Sequence, residues 1–234
     1  MPHLALFGAG PALGLSAARR FGRAGYSVTL TARNKETLAQ LRDALAADGI
    51  AADVLYADLT EDAQVDAALA ELQVRHGVPD VALYSPGDVA RLPVDALALD
   101  VDILRSWLPL HLLTPVRIVH ALLPGMLARG SGALLIAQGI AVRDPQAALA
   151  SVSVPSSGLL NYLHGVDQQV RERGVRVGSL LISRLIERSA AQILFDSGHF
   201  ATVEPNELPR VHPDHLAEEF FAMATGGAEV GRAA

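Results

Sequence analysis

Short β-type runs alternate regularly with longer amphipathic ones, and this restricts the fold more than any other feature of the chain. His3 to Phe7, Ser27 to Thr31, Ala51 to Ala57, Val81 to Tyr84, Ala133 to Ala137 and Val175 to Ile182 read as strands. Pro11 to Arg23, Lys35 to Ala47, Asp62 to Arg75, Val101 to Ala128 and Ser157 to Arg173 read as the helices between them. Strand, helix, strand in succession predicts a mainly parallel sheet with helices on both faces, because each right-handed crossover returns the chain to the same sheet. The expectation is one doubly wound α/β domain over residues 1–234. After Gly198 the pattern loosens. An irregular segment to Val211, a last helix from Pro213 to Ala224 and a short strand near Glu229 and Val230 are expected there.

Composition narrows the chemistry. With 234 residues, half of them apolar, one core can bury most of the chain. The sequence holds no cysteine, which removes disulfides, a thiolate nucleophile and Cys-based zinc or iron–sulfur sites, so redox work needs a borrowed cofactor. A net charge of −6 with scattered arginines argues against a nucleic-acid footprint. No uninterrupted apolar run reaches the roughly 18 residues of a membrane span. The opening Met-Pro-His runs straight into a strand pattern without the basic start of a secretory leader, so a cytoplasmic chain with a small-molecule or protein partner is expected.

The first predicted strand ends in Phe7-Gly8-Ala9-Gly10-Pro11-Ala12-Leu13-Gly14 and leads into a helix. In an open α/β sheet this turn is where a ligand phosphate sits. Glycine permits positive φ and close backbone approach, Pro11 suits a first helical position, and the free N–H groups of the helix end favour negative charge. The spacing differs by one residue from the dinucleotide fingerprint Gly-x-Gly-x-x-Gly. A tight βα turn that merely needs glycine is the plainer alternative.

On these residues the chain resembles the short-chain dehydrogenase/reductase family, whose loop reads Thr-Gly-x-x-x-Gly-x-Gly. Gly8 and Gly14 match its outer glycines, Ala12 takes the place of the middle one, and Gly10 is an added glycine. Thr31-Ala32-Arg33-Asn34, Asp58-Leu59, Leu122-Leu123-Pro124-Gly125-Met126 and Gly130-Ser131-Gly132 extend the likeness. The resemblance implies a single Rossmann-type domain with a nucleotide-binding half at 1–130 and a substrate and assembly half at 131–234, and a nicotinamide cofactor. It places Gly8, Gly10, Pro11, Leu13 and Gly14 at the pyrophosphate, and Asp58 and Leu59 at the adenine. Ser85, Pro86 and Gly87 stand where the family has Asn-Ala-Gly. Members selective for NAD generally carry an acid at the end of the second strand. Here Ala32 precedes the cation Arg33, which implies NADP(H).

Family reductases use a Tyr-x-x-x-Lys pair, a Ser at the end of the fifth strand and an Asn in the fourth helix. Gly174-Val175-Arg176-Val177, which resembles the family's Gly-Ile-Arg-Val, places Val152 at the Tyr position and Ser156 at the Lys position. No change of register restores the pair, because Lys35 is the sole lysine and none of the 4 tyrosines precedes a lysine by four residues. The Ser position falls at Gln138 or Gly139, the Asn position at His111, and Ser183-Arg184 replaces a Pro-Gly. Candidates for chemistry are therefore His111 as acid or base, Gln138 as an amide donor to a carbonyl, and Tyr84 as a phenol. Ser151, Ser153, Ser156 and Ser157 crowd the same region. His212 and His215 flank Pro213-Asp214, where a helix cap by Asp214 is the simpler reading and no metal site is expected.

These residues leave open an NADP(H)-dependent oxidoreductase without the usual acid, a non-redox catalyst (cyclisation, dehydration or isomerisation), and a non-catalytic partner or NADP sensor. The helices Val101 to Ala128 and Ser157 to Arg173 are apolar over too much of their circumference to be fully solvated. The resemblance implies that they pair in a homodimer or homotetramer, and a heteromer with a catalytic homologue would use the same face.

Overall fold

A computed structural model of the protein describes residues 1–87, 89, 91–198, 209–226 and 230–234. Strands β1 (His3–Phe7), β2 (Ser27–Ala32), β3 (Ala52–Tyr56), β4 (Val81–Tyr84), β5 (Gly132–Gly139) and β6 (Val175–Ile182) occur where the sequence predicts them. They alternate with α1 (Leu13–Arg23), α2 (Lys35–Ala47), α3 (Asp62–His76), α4 (Val101–Leu108), α5 (Thr114–Arg129) and α6 (Ala150–Val170). Beyond β6 follow β7 (Leu185–Ile186), α7 (Ala190–Asp196), β8 (Arg210–Val211), α8 (Pro213–Thr225) and β9 (Val230–Ala233). Seven strands form one sheet in the order β3-β2-β1-β4-β5-β6-β9, and β7 pairs with β8 in a small second sheet. All pairings are parallel.

The period of two along each strand divides the core. Leu4, Leu6, Val28, Leu30, Leu83 and Leu135 face the layer containing α1, α2 and α8. Ala5, Phe7, Ala82, Tyr84, Leu134 and Ile136 face the layer containing α3, α5 and α6. Burial on both sides explains why these strands read as continuous apolar runs. The order reverses between β1 and β4, which opens a crevice at the carboxyl ends of the strands.

Three departures from the sequence reading have physical causes. The helix expected over Val101 to Ala128 contains a π-helical turn, Pro109–Leu113, because Pro109 has no N–H to give and the chain shifts to a longer bond, Thr114 N–H to the Pro109 carbonyl. The α6 helix begins at Ala150 rather than Ser157 and accommodates Pro155. Its early start is held by Ser151, whose Oγ accepts the Val94 N–H at 2.9 Å while its own N–H donates to the Val94 carbonyl at 3.2 Å. The irregular segment expected up to Val211 ends in β8, and residues 199–208 of it lie outside the described residues. The last strand is present at Val230–Ala233, and Glu229 lies outside the described residues.

Although no uninterrupted apolar run is that long, the continuous segment Val101–Arg129 is long and apolar enough to cross a membrane by length and composition. Within this chain it is a packing helix: Trp107, Leu110, Ile118, Val119, Leu122 and Met126 are buried. At the opposite end of the sheet from the crevice, His3 is 6% exposed. Its ring nitrogens lie 2.8 Å from Ser27 Oγ and 3.0 Å from Thr29 Oγ1, and it stacks on His76. Burial first, and then the neighbouring His76 charge, lower its pKa to about 4 against the pull of Asp80 and Asp53.

Candidate functional site

A cleft of about 520 Å³ opens where the first six strands end. Every residue that the sequence assigns to a nucleotide lines it: Gly8, Gly10, Pro11, Leu13 and Gly14 from the first turn, Arg33 after β2, Asp58 and Leu59 after β3, and Ser85, Pro86 and Gly87 after β4. The first turn is anchored by Gly8 and Ala9 N–H bonds to the Thr31 carbonyl, 2.8 and 3.0 Å. Its two early glycines serve different ends. Gly8 has φ +85°, and a Cβ there would lie 2.4 Å from Pro86 Cα, so the protein itself requires glycine. A Cβ on Gly10 would meet nothing within 4 Å, so Gly10 keeps space open in the cleft rather than relieving a clash.

The β2–β3 side of the cleft is polar. Arg33 Nη1 lies 3.9 Å from Asp58 Oδ2, and Arg33 is half-exposed beside Asn34 and Thr37, which also line the cleft. Asn34 caps α2 by accepting the Thr37 N–H at 2.9 Å, so the positive end of that helix faces the same space. Burial raises the Asp58 pKa, but bonds from the Thr60 N–H and hydroxyl at 2.9 and 2.7 Å, with the Arg33 charge, bring it below its ordinary value. Ser85 Oγ, behind the third edge of this space, is shielded from solvent without a hydrogen-bond partner among the described residues. That orphaned hydroxyl and the open cradle at Gly10 fit a dinucleotide with its ribose near β4 and its phosphates at the N-terminus of α1.

The β5–β6 side is built differently. Gln138, the one catalytic candidate that lines the cleft, is 7% exposed and tied at both ends of its amide. Nε2 donates to the Ser156 carbonyl at 2.8 Å, and Oε1 accepts from Ser179 Oγ at 2.6 Å. One Nε2 hydrogen remains for a ligand. Tyr84 is a correction to the sequence reading: its side chain is in the core, and its hydroxyl donates to the Leu110 carbonyl at 2.6 Å. Burial pushes this phenol well above its ordinary pKa, which disfavours ionisation. An aromatic at the end of a strand buried on both faces turns inward with the pleat. His111 is half-buried in the π-turn and stacks on Trp107 at 5.4 Å between ring centroids, and it is not among the lining residues.

The serines are structural in their contacts. Ser151 holds Val94, Ser157 Oγ donates to the Val142 carbonyl at 3.2 Å, and Ser153 and Ser156 are buried. Val152 and Ser156, expected at the Tyr and Lys positions, lie on α6, and neither lines the cleft. His212, not Asp214, caps α8, its ring nitrogen accepting the Asp214 N–H at 3.3 Å. Among the described residues no three His, Asp or Glu side chains converge as metal ligands.

The sequence reading missed Ile182, Arg184 and Leu185 as lining residues. Their signal was the Ser183-Arg184 departure after the sixth strand. A hydrophobic pattern gave no hint that this segment folds back over the cleft as β7 and α7.

The sequence pattern that defines the short chain dehydrogenase family matches residues 3–183. A fatty acyl-CoA reductase of Mycobacterium tuberculosis is 31% identical over 134 residues, 57% of this chain and 45% of that protein, so the match spans less than half of the relative's length. Among solved structures, a variant of the actinorhodin polyketide ketoreductase with NADPH superposes with a TM-score of 0.85 at 22% identity, covering 99% of this chain and 94% of that one. An NADPH-bound short chain oxidoreductase of Pseudomonas aeruginosa PAO1, whose catalytic center is atypical, superposes at 0.80 with 19% identity, covering 99% and 95%. At these identities the structural likenesses are likenesses of fold.

Proposed function

The chain belongs to the short chain dehydrogenase family, and on that premise we propose that it is an NADP(H)-dependent oxidoreductase that interconverts a carbonyl and a hydroxyl group without a Tyr-Lys acid. The observation that carries this reading is the coherence of the nucleotide side: all the expected contacts line one cleft, with Arg33 and the α2 N-terminus where a 2′-phosphate is placed in such folds. Gly8 to Gly14 and the α1 N-terminus would hold the pyrophosphate, Asp58 and Leu59 the adenine, and Ser85 the ribose. When bound, NADPH supplies the hydride.

The protein's own contribution is to hold and to polarise. Gln138 offers its remaining amide hydrogen at the carboxyl end of β5, fixed in direction by Ser156 and Ser179. An amide N–H is far too weak an acid to give up its proton, and neither Tyr84 nor His111 lines the cleft, so the proton comes from water. Losing a positioned acid typically costs about 10²–10⁴-fold, which slows a reductase without abolishing it when the carbonyl is activated. The test is single-turnover oxidation of NADPH by excess protein with a panel of activated aldehydes and ketones. Oxidation slower than in typical reductases, and insensitive to His111→Asn, supports the reading. No oxidation while NADPH is bound would sink it.

One observation favours a second reading, a non-catalytic NADP(H) sensor or partner subunit: the polar groups nearest the reacting end are engaged inside the protein. The same single-turnover experiment separates the two. In either case the apolar face of Leu112, Leu113, Val116 and Tyr162 on the α5 and α6 side is the surface proposed for a homodimer or homotetramer.

A further inference from the structure

Arg184 stands two residues after β6 and lines the same cleft as Gln138, Gly139, Ile182 and Leu185. It is exposed, and among the described residues its guanidinium has no hydrogen-bond or ion-pair partner. The one acid among the described lining residues is Asp58, beside Arg33 at the opposite side. In the sheet, β2 and β6 are separated by β1, β4 and β5. At about 4.8 Å per strand, the two strand ends are about 19 Å apart, too far for Arg33 and Arg184 to hold one phosphate. The cleft thus carries two cationic positions, and the nucleotide residues cluster around only the first.

The surroundings of Arg184 are apolar. Ile182, Leu185, Ile186, Ala190 and Ala191 line this part of the cleft. Val89, which also lines the cleft, is 37% exposed. We propose that Arg184 is the anion-recognition residue of the substrate site, and that the carbonyl compound taken here has an apolar body bearing a carboxylate, sulfonate or phosphate. A planar guanidinium presents paired donors that match such oxyanions, and an apolar cleft weakens the competition from water. The carbonyl end then lies toward Gln138, whose strand pairs directly with β6. This proposal rests on the oxidoreductase reading and deepens it by naming the substrate class.

The test uses two probes that share one aromatic aldehyde body, anionic para-carboxylated benzaldehyde and its neutral methyl ester. Calorimetry is done on NADP⁺-saturated wild-type protein, where no hydride is available, and on Arg184→Gln and Arg184→Lys. The expected result is binding of the acid about tenfold or more tightly than the ester by the wild type, loss of that preference in Arg184→Gln, and partial retention in Arg184→Lys. NADP⁺ affinity should stay within about twofold across the three proteins, as for a residue outside the nucleotide contacts. Equal binding of acid and ester by the wild type, or a preference that survives in Arg184→Gln, overturns the proposal. A loss of about tenfold or more in NADP⁺ affinity in Arg184→Gln also overturns it, by assigning the guanidinium to the nucleotide. Should the wild type bind no NADP⁺, the oxidoreductase reading fails separately. The same comparison on the protein alone then decides the anion site, with a Gln-sensitive preference for the acid supporting it and equal binding ending it.

Discussion

Around the nucleotide part of the cleft, after β1, β2 and β4, groups are presented to a ligand: an open glycine, a helix N-terminus, a half-exposed arginine and an orphaned serine hydroxyl. Along β4 and β5 the candidate catalytic side chains are instead engaged within the protein, with backbone carbonyls or with another side chain. Gln138 bridges Ser156 and Ser179, and Tyr84 is bonded to Leu110. On the proposed reading, binding chemistry and reaction chemistry are carried by different parts of one fold. A nucleotide is held largely by backbone and helix ends, which the fold supplies, whereas proton transfer needs particular side chains that a sequence can lose while the sheet stays intact.

The sharpest way to break this comparison is to perturb the two glycines of the first turn. Gly8→Val should destabilise the fold by about 2–5 kcal/mol, from its positive φ and the Pro86 contact, as read by chemical denaturation. Gly10→Val should leave the denaturation midpoint nearly unchanged and weaken NADPH by about tenfold or more, because its side chain enters space the ligand needs. If both lower stability equally, the turn is structural throughout and the nucleotide side loses its distinction.

Arg33→Ala should weaken NADPH about 10–100-fold in fluorescence titration and change NADH little, the magnitude of a lost charge-assisted bond. Equal losses for both nucleotides would remove the basis for NADP(H) preference. Among the groups engaged within the protein, Tyr84→Phe should cost about 1–3 kcal/mol of stability by stranding the Leu110 carbonyl, with NADPH affinity preserved. A loss of turnover without loss of stability would restore Tyr84 as a functional phenol.

The smallest effect belongs to a region remote from the cleft and serves as a control. The folded-state pKa of His3, about 4, lies below its ordinary 6.5, so the unfolded chain binds more protons between those values. Stability from this group is complete above pH 6.5 and is lost as pH falls toward 4. His3→Gln should flatten the melting temperature against pH in that window without altering NADPH affinity. An unchanged slope would remove His3 as its source.

Much of the fold was legible because its signals are local. Apolar runs of strand length, the Gly8 to Gly14 turn and the Asn34 cap lie within a few residues of one another. The nucleotide side inherits that legibility, since each contact follows directly after a strand. The reacting side was read less well because its determinants are long-range: Gln138 meets Ser179 across a separation of 41 residues, and Tyr84 meets Leu110 across 26. Nothing in the vicinity of Tyr84 announces that its hydroxyl is already committed. The cap of α8 was misassigned for a subtler reason, since Asp214 is of the commoner capping type and the His212 ring nitrogen does the same work two residues earlier in the chain. Arg184 was visible as a departure from a Pro-Gly pair, but its place in the cleft depends on how the segment after β6 folds back.

The most direct measurement is an equilibrium titration of the purified protein with NADPH and with NADH, read by nicotinamide fluorescence and calorimetry. The account predicts micromolar binding of NADPH and clearly weaker binding of NADH. Absence of binding at millimolar NADPH would contradict it, leaving the cleft a relic of the fold rather than a nucleotide site.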